Sequence, residues 1–176
     1  MRPVLVTWKD DVRGWHPGQE WIWRCGGLGV FDPGINALSI LTHLLAQPLL
    51  LEEAHLFIPV DCDTPIAAAL RLTDTQGAAI RCEFDFRQTG PPTWDIDIET
   101  DRGRLVLSKG GAVLHANDRT IVQGDDREYA CLYARFAQVV HERRVDVDLA
   151  PLRLVADAFL RGRRTAVAAF AAAGEG

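Results

Sequence analysis

LEEAHLFIPV, residues 51–60, opens a series of short, turn-bounded runs that read as strands. Six more follow: IAAALRLTD (66–74), GAAIRCEFDF (77–86), TWDIDIET (93–100), GRLVLS (103–108), AVLHAN (112–117) and RTIVQG (119–124). The breaks between them carry turn chemistry, as in Asp63-Thr64-Pro65, Asp74-Thr75-Gln76-Gly77, Gly90-Pro91-Pro92, Asp101-Arg102-Gly103 and Lys109-Gly110-Gly111. Closely spaced strands with short turns predict an antiparallel meander over 49–123, since parallel pairs need long crossovers. In TWDIDIET the alternation is sharp. Trp94, Ile96 and Ile98 face one way and Asp95, Asp97 and Glu99 the other, so the second face meets water or a wet interface.

Upstream of the meander the period is helical. FDPGINALSILTHLLA predicts a mostly buried helix over 32–46, ending before Pro48. Asp32-Pro33 reads as its start, an Asp to cap orphan amides and a Pro in the first turn. Asp32, Asn36, Ser39 and His43 form one narrow polar stripe on it. Before it, residues 12–31 are too rich in Gly, Pro and Trp for regular structure and read as a long functional loop. Residues 1–11 read as a strand, with Val4, Val6 and Trp8 on its buried face.

Downstream, residues 127–165 return to helix in two segments. Tyr129, Leu132, Phe136 and Val140 make the stripe of the first, and Leu152, Val155, Ala156 and Phe159 that of the second. The tail AAFAAAGEG should fray. The order of elements predicts a single α+β domain, with an open, mostly antiparallel sheet and helices packed on one face.

Composition narrows the functional classes. A chain of 176 residues with 48% hydrophobic and 24% charged residues suits one globular domain. A net charge of −5 with no basic block argues against a nucleic-acid surface. No apolar window approaches a membrane span, and no signal-peptide core opens the chain, so a cytoplasmic location is expected. Cys25, Cys62, Cys82 and Cys131 form no CxxC pair, which fits reduced thiols and no zinc ribbon. His43, His55, His115 and His141 lack metal-ligand spacing, and no metal is expected.

The chemistry-bearing residues gather in WHPGQEWIWRCGGLGVFDPGIN, residues 15–36, which holds three of the chain's five tryptophans. Aromatic walls, permissive glycines and a few polar groups at a helix start make a ligand site. A Trp-rich loop can equally lid a core. Asp32 and Asn36 would project together at that helix end, as a catalytic pair or as a cap and a solvated polar residue. His16 and Trp15 offer loop contacts to a ligand. Asp10 and Asp11 are sugar-hydroxyl acceptors or solvated turn residues. Trp94 is core packing or an apolar platform for a sugar ring. GGLGVFDPG is not a GxGxxG loop fed by a strand, so no dinucleotide site is read here.

DDVRGWHPGQEWIW (10–23) and GGLGVFDPGINALSILTHLL (26–45) together resemble the second domain of the Gfo/Idh/MocA oxidoreductases, in the branch of aldose 1-dehydrogenases that act on galactose and arabinose. The family's GG…DxGxH pattern appears as Gly26-Gly27…Asp32-Pro33-Gly34-Ile35-Asn36, with Asn where the wider family has His. The resemblance runs from the first strand to about Arg164. It implies that Asp32 exchanges a proton with the anomeric hydroxyl and that Asn36 orients the reacting hydroxyl. It also implies that Trp15 and His16 contact the sugar, that Trp94 is an aromatic wall, and that Asp10 stands where arabinose enzymes carry Glu. Arg24-Cys25 departs from an expected Glu-Pro. Such enzymes oxidise the sugar C1 to the lactone with NAD or NADP, held by a Rossmann domain that also supplies a catalytic lysine.

Neither that domain nor its lysine is recognised in this sequence. The expectations are therefore that no cofactor binds this chain alone, that it is inactive by itself, and that its loop at 12–31 is partly disordered without its partner domain. Its partners would be an aldose, the Rossmann domain and further subunits through the open sheet face. A free-standing, non-catalytic sugar-binding or protein-interaction module is the alternative.

Overall fold

A computed structural model describes residues 3–125 and 127–170. Its frame is a nine-stranded sheet ordered β8-β7-β6-β5-β1-β4-β3-β2-β9. The strands are β1 (Val4–Lys9), β2 (Leu49–Pro59), β3 (Ala67–Asp74), β4 (Ile80–Asp85), β5 (Thr93–Thr100), β6 (Gly103–Ser108), β7 (Val113–Ala116), β8 (Arg119–Gln123) and β9 (Arg163–Val167). Among the described residues four α-helices accompany them: α1 (Val12–Trp15), α2 (Phe31–Leu44), α3 (Glu128–His141) and α4 (Ala150–Arg161). The architecture is the α+β class with an open, mostly antiparallel sheet that the sequence predicts.

The meander is not continuous. β4 and β5 do not pair; β1 lies between them, parallel to β4 and antiparallel to β5. The reason is burial. Val4, Val6 and Trp8 on β1 are at most 6% exposed and need apolar neighbours on both sides, which an edge position does not supply. A second parallel pair joins β9 to β2. Helix was expected through 165, but α4 stops at Arg161 and Gly162 turns the chain into β9. A Cβ at Gly162 would overlap the Ala158 carbonyl.

α2 and α4 lie against each other and cover one face of the sheet. α2 buries Phe31, Gly34, Ala37, Leu38 and Leu41, while Asn36, Ser39 and His43 form the exposed stripe read from the sequence. α4 turns a different stripe inward: Pro151, Leu154, Val155 and Ala158, rather than Leu152 and Ala156. α3 stands off the core, with no buried residue. The opposite sheet face is a charged ladder, including Lys9–Glu83 at 2.7 Å and Arg71–Glu52 at 3.1 Å.

The loop at 12–31 is anchored rather than loose. Val12 takes the Phe86 carbonyl at 3.1 Å, Cys25 N–H donates to Asp63 Oδ2 at 2.9 Å and Val30 N–H donates to Pro65 at 2.8 Å. Ile22, Trp23 and Val30 are buried, which holds the loop to the body through apolar contact as well. The end of the tail, residues 171–176, and the start of the first expected strand, residues 1–2, lie outside the described residues.

Candidate functional site

β1 is the floor of the site. Because side chains alternate along a strand, Val4, Val6, Trp8 and Asp10 all point to the helix-covered side. The first three meet apolar partners, but Asp10 emerges one residue past the end of the strand, where the core opens into a cavity of about 880 Å³. That volume falls in the range of small-ligand sites. Trp8 pairs directly across the sheet with Trp94, and their rings stack 5.9 Å apart. Trp15, at the end of α1, meets Trp94 edge-on at 4.9 Å. Three indoles thus wall one side of the cavity.

Asp10 is 2% exposed. Its backbone is fixed on both sides, its N–H donating to Asp85 at 3.0 Å and its carbonyl accepting from Gln88 at 3.1 Å. Its Oδ2 accepts from the Trp94 indole N–H at 3.3 Å, and its Oδ1 is buried with no protein partner. Burial pushes its carboxyl above the ordinary range; the Trp94 N–H and the nearby His16 pull the other way, and Asp11 adds to the rise. A buried acceptor without a donor costs free energy unless a ligand supplies one. Asp11 points elsewhere. It caps α1 through Arg13 N–H at 3.1 Å and pairs with the Arg13 guanidinium at 2.8 Å.

His16 follows α1 and lines the cavity, packed 5.6 Å from the Phe86 ring. Its Nδ1 lies 3.3 Å from Gln19 Oε1 and 3.8 Å from Asp32 Oδ2.

Asp32 does not cap its helix. α2 begins one residue earlier than expected, its N-cap is Val30, and no side chain caps it. Pro33 and Asn36 line the cavity, and Asp32 lies beside His16, its Oδ2 3.8 Å from Nδ1. The structure therefore brings Asp10, Trp15, His16, Asn36 and Trp94 to one cavity and places Asp32 Oδ2 3.8 Å from His16 Nδ1.

Sequence reasoning missed several walls. Trp8 reads as core in a strand pattern, and only the β1–β5 register reveals it beside Trp94. Lys109 and Gly110 read as a turn; that turn folds over Trp94, where a Cβ at Gly110 would sit 3.6 Å from the indole. Arg127 and Tyr129 enter the lining from the start of α3. Their contribution depends on a long-range placement that no local pattern carries. Among the described residues no cluster of His, Cys, Asp or Glu could hold a metal ion, and no helix is long and apolar enough to cross a membrane.

No family model matches the chain. It is 48% identical over 170 residues to a galactose 1-dehydrogenase of Pseudomonas fluorescens, covering 97% of this chain and 56% of that protein. The crystal structure of a D-galactose-1-dehydrogenase from Rhizobium etli superimposes with a TM-score of 0.92 at 52% identity, over 97% of this chain and 54% of that one. KijD10, a 3-ketoreductase from Actinomadura kijaniata solved with NADP and TDP-benzene, superimposes with a TM-score of 0.76 at 18% identity, over 94% of this chain and 55% of that one, and shows the fold alone. The chain spans a little over half the length of the relatives it matches. Over 97% of its residues the chain is thus a homologue of one portion of the galactose 1-dehydrogenases, and its resemblance to the C-terminal domain of the Gfo/Idh/MocA oxidoreductases holds.

Proposed function

We propose that this chain is the substrate-binding half of an NAD(P)-dependent aldose 1-dehydrogenase that takes a galactose- or arabinose-like sugar. The observation that carries the reading is the Asp10 carboxylate, buried, with one oxygen unpartnered, at the base of a cavity walled by indoles. That combination suits a sugar. Its C–H face lies on aromatic rings while its hydroxyls satisfy buried acceptors.

Oxidation of C1 to a lactone removes a hydride from C1 and a proton from its hydroxyl. NAD or NADP, if bound, would supply the hydride acceptor. This chain's residues manage the rest. His16 Nε2 takes the hydroxyl proton, and Asp32, 3.8 Å from Nδ1, is a positioning residue that favours the resulting imidazolium. Asn36, on the cavity wall, holds the reacting hydroxyl in line. Lys109 and Arg127 flank the mouth and are the cations of this chain suited to a dinucleotide's phosphates. The isolated chain binds sugar without turning it over, and the charged sheet face is its contact with further subunits.

Tryptophan fluorescence tests the reading, since three indoles border the site. Titration with D-galactose or L-arabinose should give saturable quenching that Trp94→Ala and Asp10→Asn each weaken. Absence of saturation with both sugars in the folded chain would remove it.

A further inference from the structure

His16 lines the cavity from a weak support. α1 is four residues long and contains Gly14, so the turn that delivers the imidazole has little stiffness of its own. The ring's polar neighbours, Gln19 Oε1 at 3.3 Å and Asp32 Oδ2 at 3.8 Å, are long contacts. Its apolar neighbour is Phe86, 5.6 Å away between ring centroids and fully buried. Phe86 also holds the start of α1, because its carbonyl accepts the Val12 N–H at 3.1 Å. Phe86 is therefore the seat of His16.

That seat is itself backed by rings. Trp23 meets Phe86 edge-on at 5.8 Å, and Phe170 meets Trp23 at 5.7 Å. Trp23 and Phe170 are both hooked to the turn that follows β2. Asp63 N–H donates to the Trp23 carbonyl at 2.9 Å, and Phe170 N–H donates to Asp61 Oδ1 at 3.1 Å. Val60 N–H, donating to the Val167 carbonyl at 3.1 Å, ties the end of β9 to the same turn. A row of rings thus runs from the segment after β9 to the cavity, each at a separation where aromatic pairs attract. In a close-packed interior, removing a ring at one end leaves a void into which its neighbours shift. We propose that Phe170 is a positioning residue for His16, acting through Trp23 and Phe86, so that the segment after β9 is a strap behind the sugar wall. The proposal rests on the aldose-dehydrogenase reading of the cavity.

The test follows the His16 ring and sugar binding in the same variants at one pH. In proton NMR spectra the His16 ring signals, identified by their loss in His16→Gln, should carry a ring-current displacement from Phe86. Phe170→Ala should move them toward the positions of a solvated histidine and leave the signals of His43 and His141 in place. It should also raise the Kd for D-galactose, read by calorimetry, about three- to tenfold, the effect of losing one aromatic pair. Phe170→Tyr keeps the ring and should restore both readings. Phe170→Leu, which keeps most of the volume and folds more readily, should fall between Ala and Tyr. Phe159→Ala removes a ring that packs on Phe31 at 5.5 Å, away from this row; it should lower the melting temperature without moving the His16 signals or the Kd.

Phe170 variants that lower only the melting temperature, with His16 signals and Kd unchanged, overturn the proposal. So does Phe159→Ala moving both readings as far as Phe170→Ala, which would reduce the effect to general loosening. Failure of the unaltered chain to bind D-galactose or L-arabinose would instead strike the reading of the cavity. The His16 signals need no sugar, so they still decide whether Phe170 sets the ring.

Discussion

Water is withheld from the Asp10 carboxylate, and only one of its oxygens has a donor. Its pKa in the fold is raised above the ordinary 3.8, so the folded protein holds this proton more tightly than the unfolded chain. Stability from this group is therefore complete in acid and is lost as pH climbs from the ordinary carboxylate value through the elevated folded one. Asp10→Asn keeps the shape and removes the titration. Relative to the unaltered chain, its melting temperature should rise across that window and then level off. A difference independent of pH would contradict the burial argument. The same substitution should weaken sugar binding about ten- to a hundredfold, the worth of a hydrogen bond to a charged group. Asp32→Asn should act differently. It leaves the cavity wall intact, so sugar affinity should change less than threefold, while turnover in an enzyme containing this chain should fall by about 10²–10⁴. Equal loss of both would place Asp32 in direct contact with sugar.

Local sequence pattern reveals elements better than it reveals their partners. The strand runs between Leu51 and Gly124, the α2 helix and its polar stripe were all legible, because periodicity and turn residues are local signals. The insertion of β1 was not, since nothing in residues 4–9 encodes pairing with residues 80–85 and 93–98. β9 escaped because RRTAV is too short to show a period. At α4, two helical phases compete and packing against α2 chose Leu154 and Ala158 over Leu152 and Ala156. The site divides the same way. Trp15, His16 and Asn36 stood out in a dense stretch, whereas Trp8 and Lys109 gained meaning only from register and folding-over. One loop glycine matters at this scale. Gly29 has φ +55°, and a Cβ there would overlap the Pro65 carbonyl oxygen. Gly29→Ala should destabilise the chain by about 1–3 kcal/mol in urea denaturation, from left-handed strain and the displaced contact. A loss below about 0.5 kcal/mol would show that the loop can relax around it.

Taken whole, the molecule has one finished side and one unfinished side. α2 and α4 close the core, whereas the cavity opens beside α3, whose apolar face lies bare. Under the proposed function, purified chain with D-galactose and NAD or NADP should produce no reduced cofactor above the blank. Fusion to the unmatched portion of the Pseudomonas fluorescens enzyme should restore turnover. Reduction by the chain alone would show that it holds a complete active site.

The position of β1 has a consequence for synthesis as well. Of the strands in this sheet it is the first to be made, yet both of its neighbours, β4 and β5, follow only from residue 80 onward. Until then its apolar side is a bare, unpaired ribbon, and the two halves of the sheet have nothing to join them. Because Trp8 and Asp10 ride on or just beyond this strand, the cavity cannot exist in a nascent chain that has merely formed its hairpins. Under the proposed function, sugar binding therefore reports that β1 has been taken into the sheet and the cavity walls assembled. A folding-arrest series, releasing chains of increasing length, should gain affinity in one step once the last lining residues, through Cys131, are available, rather than gradually with length.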